Sequence, residues 1–214
     1  MASRSVLVPA SRLERWFENF TRRHGAFSLR VQDGRLTGDA VDGAHCRASL
    51  PFGRCYDGAA DVAAFAETVA VPADWGIVLV RRGGFAVARL HGRRLVASKV
   101  GRRHVQGRTK AGGQSQQRFA RRRANQARDA YEAAAEHAFV LLAGQARLLD
   151  AVVCGGDRQA VHEVLADPRL SGLAALRTEP WLDVPDPRRA VLDQAMVDGA
   201  SATLEIEDPD AGDS

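Results

Sequence analysis

Gly112, Gly113 and Gln114 lie in the stretch Gly107-Arg108-Thr109-Lys110-Ala111-Gly112-Gly113-Gln114-Ser115-Gln116-Gln117-Arg118-Phe119. Two adjacent glycines open backbone conformations closed to other residues and remove side-chain bulk, so a loop can enter a narrow cleft. The glutamine that follows offers an amide donor and an acceptor and does not titrate near neutral pH. Such a group is a poor proton acceptor. It is suited to orienting a water molecule or to directing an N–H at negative charge developing on oxygen. The tripeptide alone would read as a flexible turn before a helix, and its setting supplies most of the signal.

That setting is cationic. From Gly101 to Arg128 there are nine Lys or Arg residues and no acid, which leaves 21 bases against 26 acids in the rest of the chain. A net charge of +4 therefore divides into a mildly acidic body and one basic segment. This distribution points to a polyanion met at one place, and nucleic acid is the commonest such partner. Arg118, Arg121, Arg122, Asn125 and Arg128 recur at spacings of three and four, so on a helix they share a face. Arg121, Arg122 and Arg123 have no acid four residues away to neutralise them, which favours phosphate contact over a merely solvated face.

Regular elements must hold this segment. The pattern predicts a helix over Ser11–Arg23, with Ser11 capping and Leu13, Trp16, Phe17 and Phe20 on one face. A strand is expected at Phe27–Val31, ending at the Asp33-Gly34 turn, and a helix over 59–69 through Val62, Phe65, Ala66 and Val69. Runs at Trp75–Val80, Phe85–Leu90 and Leu95–Ala97, turning at Gly83-Gly84 and His91-Gly92, predict a three-strand antiparallel meander leading into the basic segment. Residues 101–115 read as a mobile loop, because nothing apolar anchors them. A long helix is expected from about Ser115 to Leu149: nine of the 23 residues from Ala124 to Ala146 are alanine, the best helix former. Its second half turns Ala127, Tyr131, Ala134, Ala138 and Leu141 toward a core. A buried strand at Leu148–Gly156, a helix at Arg158–Leu165, a strand near Leu173–Thr178, a helix at Pro187–Val197 and a strand near Thr203–Ile206 follow. Strand–helix–strand order favours parallel pairing in this half.

The expected class is α/β: a single domain over residues 1–206 with a mixed sheet flanked by helices, then a disordered acidic tail over 207–214. No stretch of 18 apolar residues exists and the first residues lack a signal-peptide core, so a cytoplasmic protein with no membrane partner is expected. Cys46, Cys55 and Cys154 lack C-x-x-C spacing and read as reduced thiols, and no metal or cofactor is expected.

The pattern Lys110-x-Gly112-Gly113-Gln114-Ser115-x-x-Arg118, followed by Arg121-Arg122-Arg123-x-Asn125, resembles the catalytic loop and helix of the Vms-like release-factor family, and most of all its actinobacterial branch. That family is related to the catalytic domain of eukaryotic and archaeal peptide release factors. The likeness is sharp over residues 107–128. Elsewhere, across residues 1–206, it is a compatible order of elements. It implies a peptidyl-tRNA hydrolase that frees stalled nascent chains in the peptidyl-transferase centre, with large-subunit rRNA and peptidyl-tRNA as partners. Gln114 would position the hydrolytic water, and Gly112 and Gly113 would shape the loop. Lys110, Arg118, Arg121, Arg122 and Arg123 would hold phosphates, and RNA contact is expected of Arg108, Ser115, Asn125 and Arg128 too. Some relatives separate the glycine pair from the glutamine by one residue; here the three are adjacent, so Gln116 and Gln117 stand as backups. A chain of this length is expected to lack a stop-codon-reading domain.

Two other classes remain open. One is a translation or recycling factor that binds the same RNA without cleaving it. The other is a metal-dependent tRNA nuclease built on Asp150, Asp157 and Asp193. His91 and His104 read as turn or surface residues, Arg102 and Arg103 as part of the electrostatic footprint, and Gly155-Gly156 as a strand–helix turn.

Overall fold

A computed structural model describes residues 3–102 and 113–209, with the side chains of all of these except 102, 113–126, 145 and 147. In chain order the elements are β1 (Ser3–Val8), α1 (Leu13–His24), β2 (Phe27–Gln32), β3 (Arg35–Ala40), β4 (His45–Ser49), α2 (Val62–Thr68), β5 (Asp74–Arg81), β6 (Gly84–His91), β7 (Arg94–Arg102), α3 (Gly113–Leu141), β8 (Ala151–Gly156), α4 (Arg158–Leu165), α5 (Ser171–Ala175), β9 (Arg177–Leu182), α6 (Arg189–Asp198) and β10 (Ala202–Glu207). The α/β class is as the sequence predicts. The strands, however, divide between two five-stranded sheets, and the chain forms two compact units: residues 1–71 with 197–214, and residues 72–196.

The first unit holds an antiparallel sheet in the order β1-β10-β4-β3-β2. The pairing aligns Val31, Leu36, Ala48, Leu204 and Val6 in one row across all five strands. Leu36, Ala48 and Leu204 are fully buried in a core shared with Leu13, Phe17 and Phe20 of α1. The opposite face is polar, with Arg47 meeting Glu207 at 3.3 Å. This alternation is the mark of a sheet covered on one side. Ser11 does not cap α1: a 3-10 turn over Ala10–Arg12 precedes it, and Arg12 sits at the N-cap with no side-chain bond. Asp61 does cap α2, accepting from the Ala64 N–H at 2.9 Å. β10 takes in Glu207, and residues 210–214 of the expected tail lie outside the described residues.

The second unit holds the order β7-β6-β5-β8-β9. The meander β5-β6-β7 is antiparallel as predicted, and β8 runs parallel to both β5 and β9. Residues 75–80 of β5 are all buried, which fits a central strand enclosed on both faces. On one face Val78, Val80, Phe85, Val87, Val152 and Cys154 pack with Ala134, Ala138 and Leu142 of the α3 segment and with Val161 and Val164 of α4. Gly76 makes close approach possible there, since a Cβ would lie 3.1 Å from both Leu142 methyls. The expected strand near Leu173–Thr178 is in fact helix α5 followed by β9. The long helix begins at Gly113 and ends at Leu141, and Ala143–Leu148 continues as 3-10 helix. Of the residues expected as loop over 101–115, β7 includes 101 and 102 and α3 includes 113–115, while 103–112 lie outside the described residues.

Candidate catalytic loop and its support

The two described ends of the loop are anchored on one framework. β7 reaches Arg102, which pairs with Gly84 of β6, and Gly101 lies opposite Phe85. A Cβ on Gly101 would sit 2.3 Å from Phe85 Cε1, so the phenyl ring lies across a position that only glycine fits. Phe85 is buried and stacks on His137 of α3, with centroids 5.5 Å apart and planes at 29°. The strand that enters the loop and the helix that leaves it are thus joined through one aromatic side chain. Lys99, two residues before Gly101, is exposed on β7 and extends the basic segment upstream.

Gly113 is the first residue of α3 and Gln114 the second, with Ser115, Gln116, Gln117, Arg118, Arg121, Arg122, Arg123 and Asn125 following on the same helix. Arg108, Lys110 and Gly112 lie outside the described residues, as do Arg103 and His104. Ala130 is the first buried position among the described side chains of α3. Gln114 precedes it by 16 residues, or about 24 Å of helix axis at 1.5 Å per residue. At 100° per residue, positions 114, 118, 121, 122, 125 and 128 gather on one side of the helix. Arg128 is exposed there. Position 123 falls instead on the line of Ala127, Ala130 and Ala134, the side that packs further along. Arg123 therefore stands apart from its two neighbours.

Beside Arg128 a hollow of about 410 Å³ opens between α3 and the turn after α4. Arg128 and Arg169 share it with Glu132, Glu163 and Asp167. Arg169 is held by Asp167 and Glu136, at 2.8 and 2.9 Å. With Arg169 engaged and three carboxylates in the wall, this hollow does not suit an anion. Tyr131, also in the wall, has its hydroxyl pKa raised by burial first and then by Asp157 and Glu163.

The nuclease triad does not assemble. Asp150 accepts from the Asp74 N–H at 3.2 Å, Asp157 caps α4 by accepting from the Ala160 N–H at 3.1 Å, and Asp193 pairs with Arg189 at 2.8 Å. Among the described residues no group of three or more metal-ligating side chains occurs. Gly155 and Gly156 are not the expected turn: they end β8, paired with Leu79 and Val80 of β5. Gly156 has φ 95°, and Asp157 directly after it takes the N-terminal amide of α4 that a phosphate would need. His91 is an exposed strand residue bonded to Asp74 at 3.2 Å. Of the free cysteines, Cys46 and Cys154 are buried and Cys55 is exposed. Burial pushes the Cys154 thiol up to about 12 and the Cys46 thiol to about 11, so neither is a ready nucleophile. Among the described residues no helix is long and apolar enough to cross a membrane.

Sequence reasoning missed the Phe85–Gly101–His137 support. Its only trace in the sequence is a glycine at the end of a strand run, and cross-strand register is needed to see what fills the space.

The family model described as "Actinobacteria/chloroflexi VLRF1 release factor" matches residues 73–205. The match begins at the meander and takes in the loop, α3 and everything up to β10. Among solved structures the chain is similar to an archaeal translation termination factor, aRF1, at 15% identity and a TM-score of 0.42, over 89% of this chain and 62% of that one. It is also similar to a structure titled "Archaeal protein", at 14% identity and a TM-score of 0.40, over 92% of this chain and 65% of that one. The chain thus spans somewhat under two thirds of the length of these structures. A comparison with curated proteins gives no match.

Proposed function

The chain belongs to the Actinobacteria/chloroflexi VLRF1 release-factor family, and from that premise we propose that it hydrolyses peptidyl-tRNA in the ribosomal peptidyl-transferase centre, freeing stalled nascent chains. The observation that carries this reading is the placement of Gly113 and Gln114 at the very start of a 29-residue helix. That helix is basic and acid-free through Arg128 and anchored by its other half.

In this reading residues 1–206 serve as one release-factor-like region in the cytoplasm, with its chemistry on the loop. Gly112 and Gly113 let the backbone approach the ester. The Gln114 amide orients a water whose oxygen attacks the ester carbonyl carbon. The tetrahedral intermediate then collapses, the ribose oxygen leaves with a proton, and the peptide departs as a carboxylic acid. Glutamine moves no proton itself, so proton transfer falls to groups of the ribosome and the tRNA. The protein contributes orientation and exclusion of bulk water, which are large terms for an ester that is already reactive. Arg108, Lys110, Ser115, Arg118, Arg121, Arg122, Asn125 and Arg128 contact phosphates of tRNA or large-subunit rRNA. Arg123, on the other side of the helix, contacts a different strand or supports the root of the loop.

A stalled large-subunit complex carrying labelled peptidyl-tRNA tests the reading. Release of peptide with intact tRNA is the expected result. Tight binding without release would make the protein a non-catalytic factor, and shortened tRNA sensitive to chelator would make it a nuclease.

A further inference from the structure

Residues 1–72 precede the matched family region, and the outer side of α1 carries chemistry that the release reaction does not use. At 100° per residue, Arg12, Arg15, Asn19, Arg22 and Arg23 fall within about 100° of one another, with Trp16 at the border. Leu13, Phe17, Phe20 and His24 form the buried side. Glu14 projects on a third side, and Glu18 borders the arginine face, about 40° from Arg22 and about 60° from Arg15. All four arginines are exposed. Arg22 donates to the Asn19 amide oxygen at 3.2 Å, while Arg12, Arg15 and Arg23 have no carboxylate partner among the described residues. Arg4 of β1 joins them, held only loosely by Asp208 at 3.8 Å.

The surface is concave. Trp16 and Asn19 separate a hollow of about 580 Å³, bounded by Arg12, Arg15 and the chain from Leu7 to Pro9, from one of about 140 Å³ bounded by Arg4 and Arg23. The indole is held from behind: it stacks on Phe20 at 5.5 Å and 17°, and meets Phe17 edge-on at 5.0 Å. A rigid aromatic partition with guanidinium groups on both sides offers a flat base something to stack on and its flanking phosphates something to pair with.

We infer that this face of α1 is a second RNA-binding surface, which takes single-stranded or looped RNA with phosphates on Arg12, Arg15 and Arg23 and a base against Trp16. Only the identity of that RNA as ribosomal rests on the function proposed above. Anionic lipid suits the face less well, because the apolar side of α1 is buried in the core and Trp16 walls a hollow instead of protruding. The arginines span about 16 Å of helix axis, from residue 12 to residue 23, enough for several phosphates of one strand.

The test uses the full chain, a fluorescein-labelled twelve-nucleotide oligouridylate and isolated large subunits, each titrated at several salt concentrations. Replacing Arg12, Arg15 and Arg23 together by Gln should weaken oligouridylate binding about tenfold or more. It should also flatten the slope of log affinity against log salt by about 2, at roughly 0.7 for each phosphate no longer neutralised. The Lys triple variant keeps most of the slope, and Trp16→Phe weakens binding several-fold at unchanged slope. Ultraviolet cross-linking should mark the tryptic peptide Trp16–Arg22. Gln114→Ala binds the oligouridylate as the wild type does, so failure of the release reaction leaves this result standing. An unchanged slope and affinity in the Gln triple variant, or binding confined to phosphatidylserine vesicles or to polyglutamate, overturns the inference.

Discussion

The two halves of α3 are built on opposite principles. From Gly113 to Arg128 the helix carries five arginines and no acid; from Asp129 to Leu141 it carries three acids and no Lys or Arg. The second half is fixed by burial of Ala130, Ala134, Ala135 and Ala138, small residues that let the helix lie close on the sheet. The first half accepts unfavourable electrostatics. Basic residues toward a helix N-terminus and acids toward its C-terminus oppose the order that the helix dipole favours. Arg118 with Arg121, and Arg118 with Arg122, are like-charge pairs that cost about 0.2–0.5 kcal/mol each. A polyanion would remove that cost. On the proposed reading one half serves the fold and the other a polyanionic partner, and substitutions should separate them cleanly.

The largest effect on folding is expected from giving the packed half the chemistry of the basic half. Ala134→Arg forces an unpaired guanidinium into a fully buried position and should cost about 3 kcal/mol or more, read from the denaturant midpoint. The same exchange at exposed Glu132 should shift the midpoint hardly at all. Gly101→Val probes the joint between strand and helix. Because a Cβ there collides with the Phe85 ring, we expect a loss of about 1–3 kcal/mol from overpacking, with peptide release falling alongside. Loss of stability with undiminished release would show that the joint does not position the loop.

Arg121→Gln with Arg122→Gln should leave thermal stability unchanged. It should weaken large-subunit binding several-fold and flatten its salt slope by about 1.5–2. A matched loss from Arg123→Gln alone would contradict its separate placement. The smallest effect belongs to Arg169→Gln, at an exposed cluster with Asp167 and Glu136. Asp167 has its pKa lowered, chiefly by the Arg169 side chain. Its contribution to stability is therefore present above the ordinary carboxylate range and is lost as pH falls through the lowered value. Wild type and variant should converge in acid unfolding below that range, with only a slight difference at neutral pH.

Sequence periodicity reaches the elements that are locally determined. α4 is legible to the residue, since Asp157 and the Ala160–Val161–Val164 stripe mark it. The meander is legible because β5 and β6 are continuous apolar runs. What escapes depends on distant partners. β1 and β4 are short, half-exposed segments that become strands by pairing with β10, at the far end of the chain. Leu173–Leu176 is apolar at a spacing that suits helix or strand, and packing of Leu173 in the core beside α4 decides for helix. Ser11 and Glu14 have the spacing of a cap, but the 3-10 turn at Ala10–Arg12 moves the helix start past Ser11. In the candidate site, the order of residues along the loop and helix is legible. The phenyl ring over Gly101 is not, because register across β6 and β7 creates it.

The central claim is that the residue opening α3 directs chemistry and does not merely help to bind. Single-turnover peptide release from a stalled large-subunit complex, with protein saturating, tests it. Gln114→Ala should release peptide roughly a hundredfold or more slowly, the usual loss for one preorganised donor, with binding unchanged and with Gln116→Ala and Gln117→Ala near the wild-type rate. Release by Gln114→Ala at the wild-type rate would contradict the account.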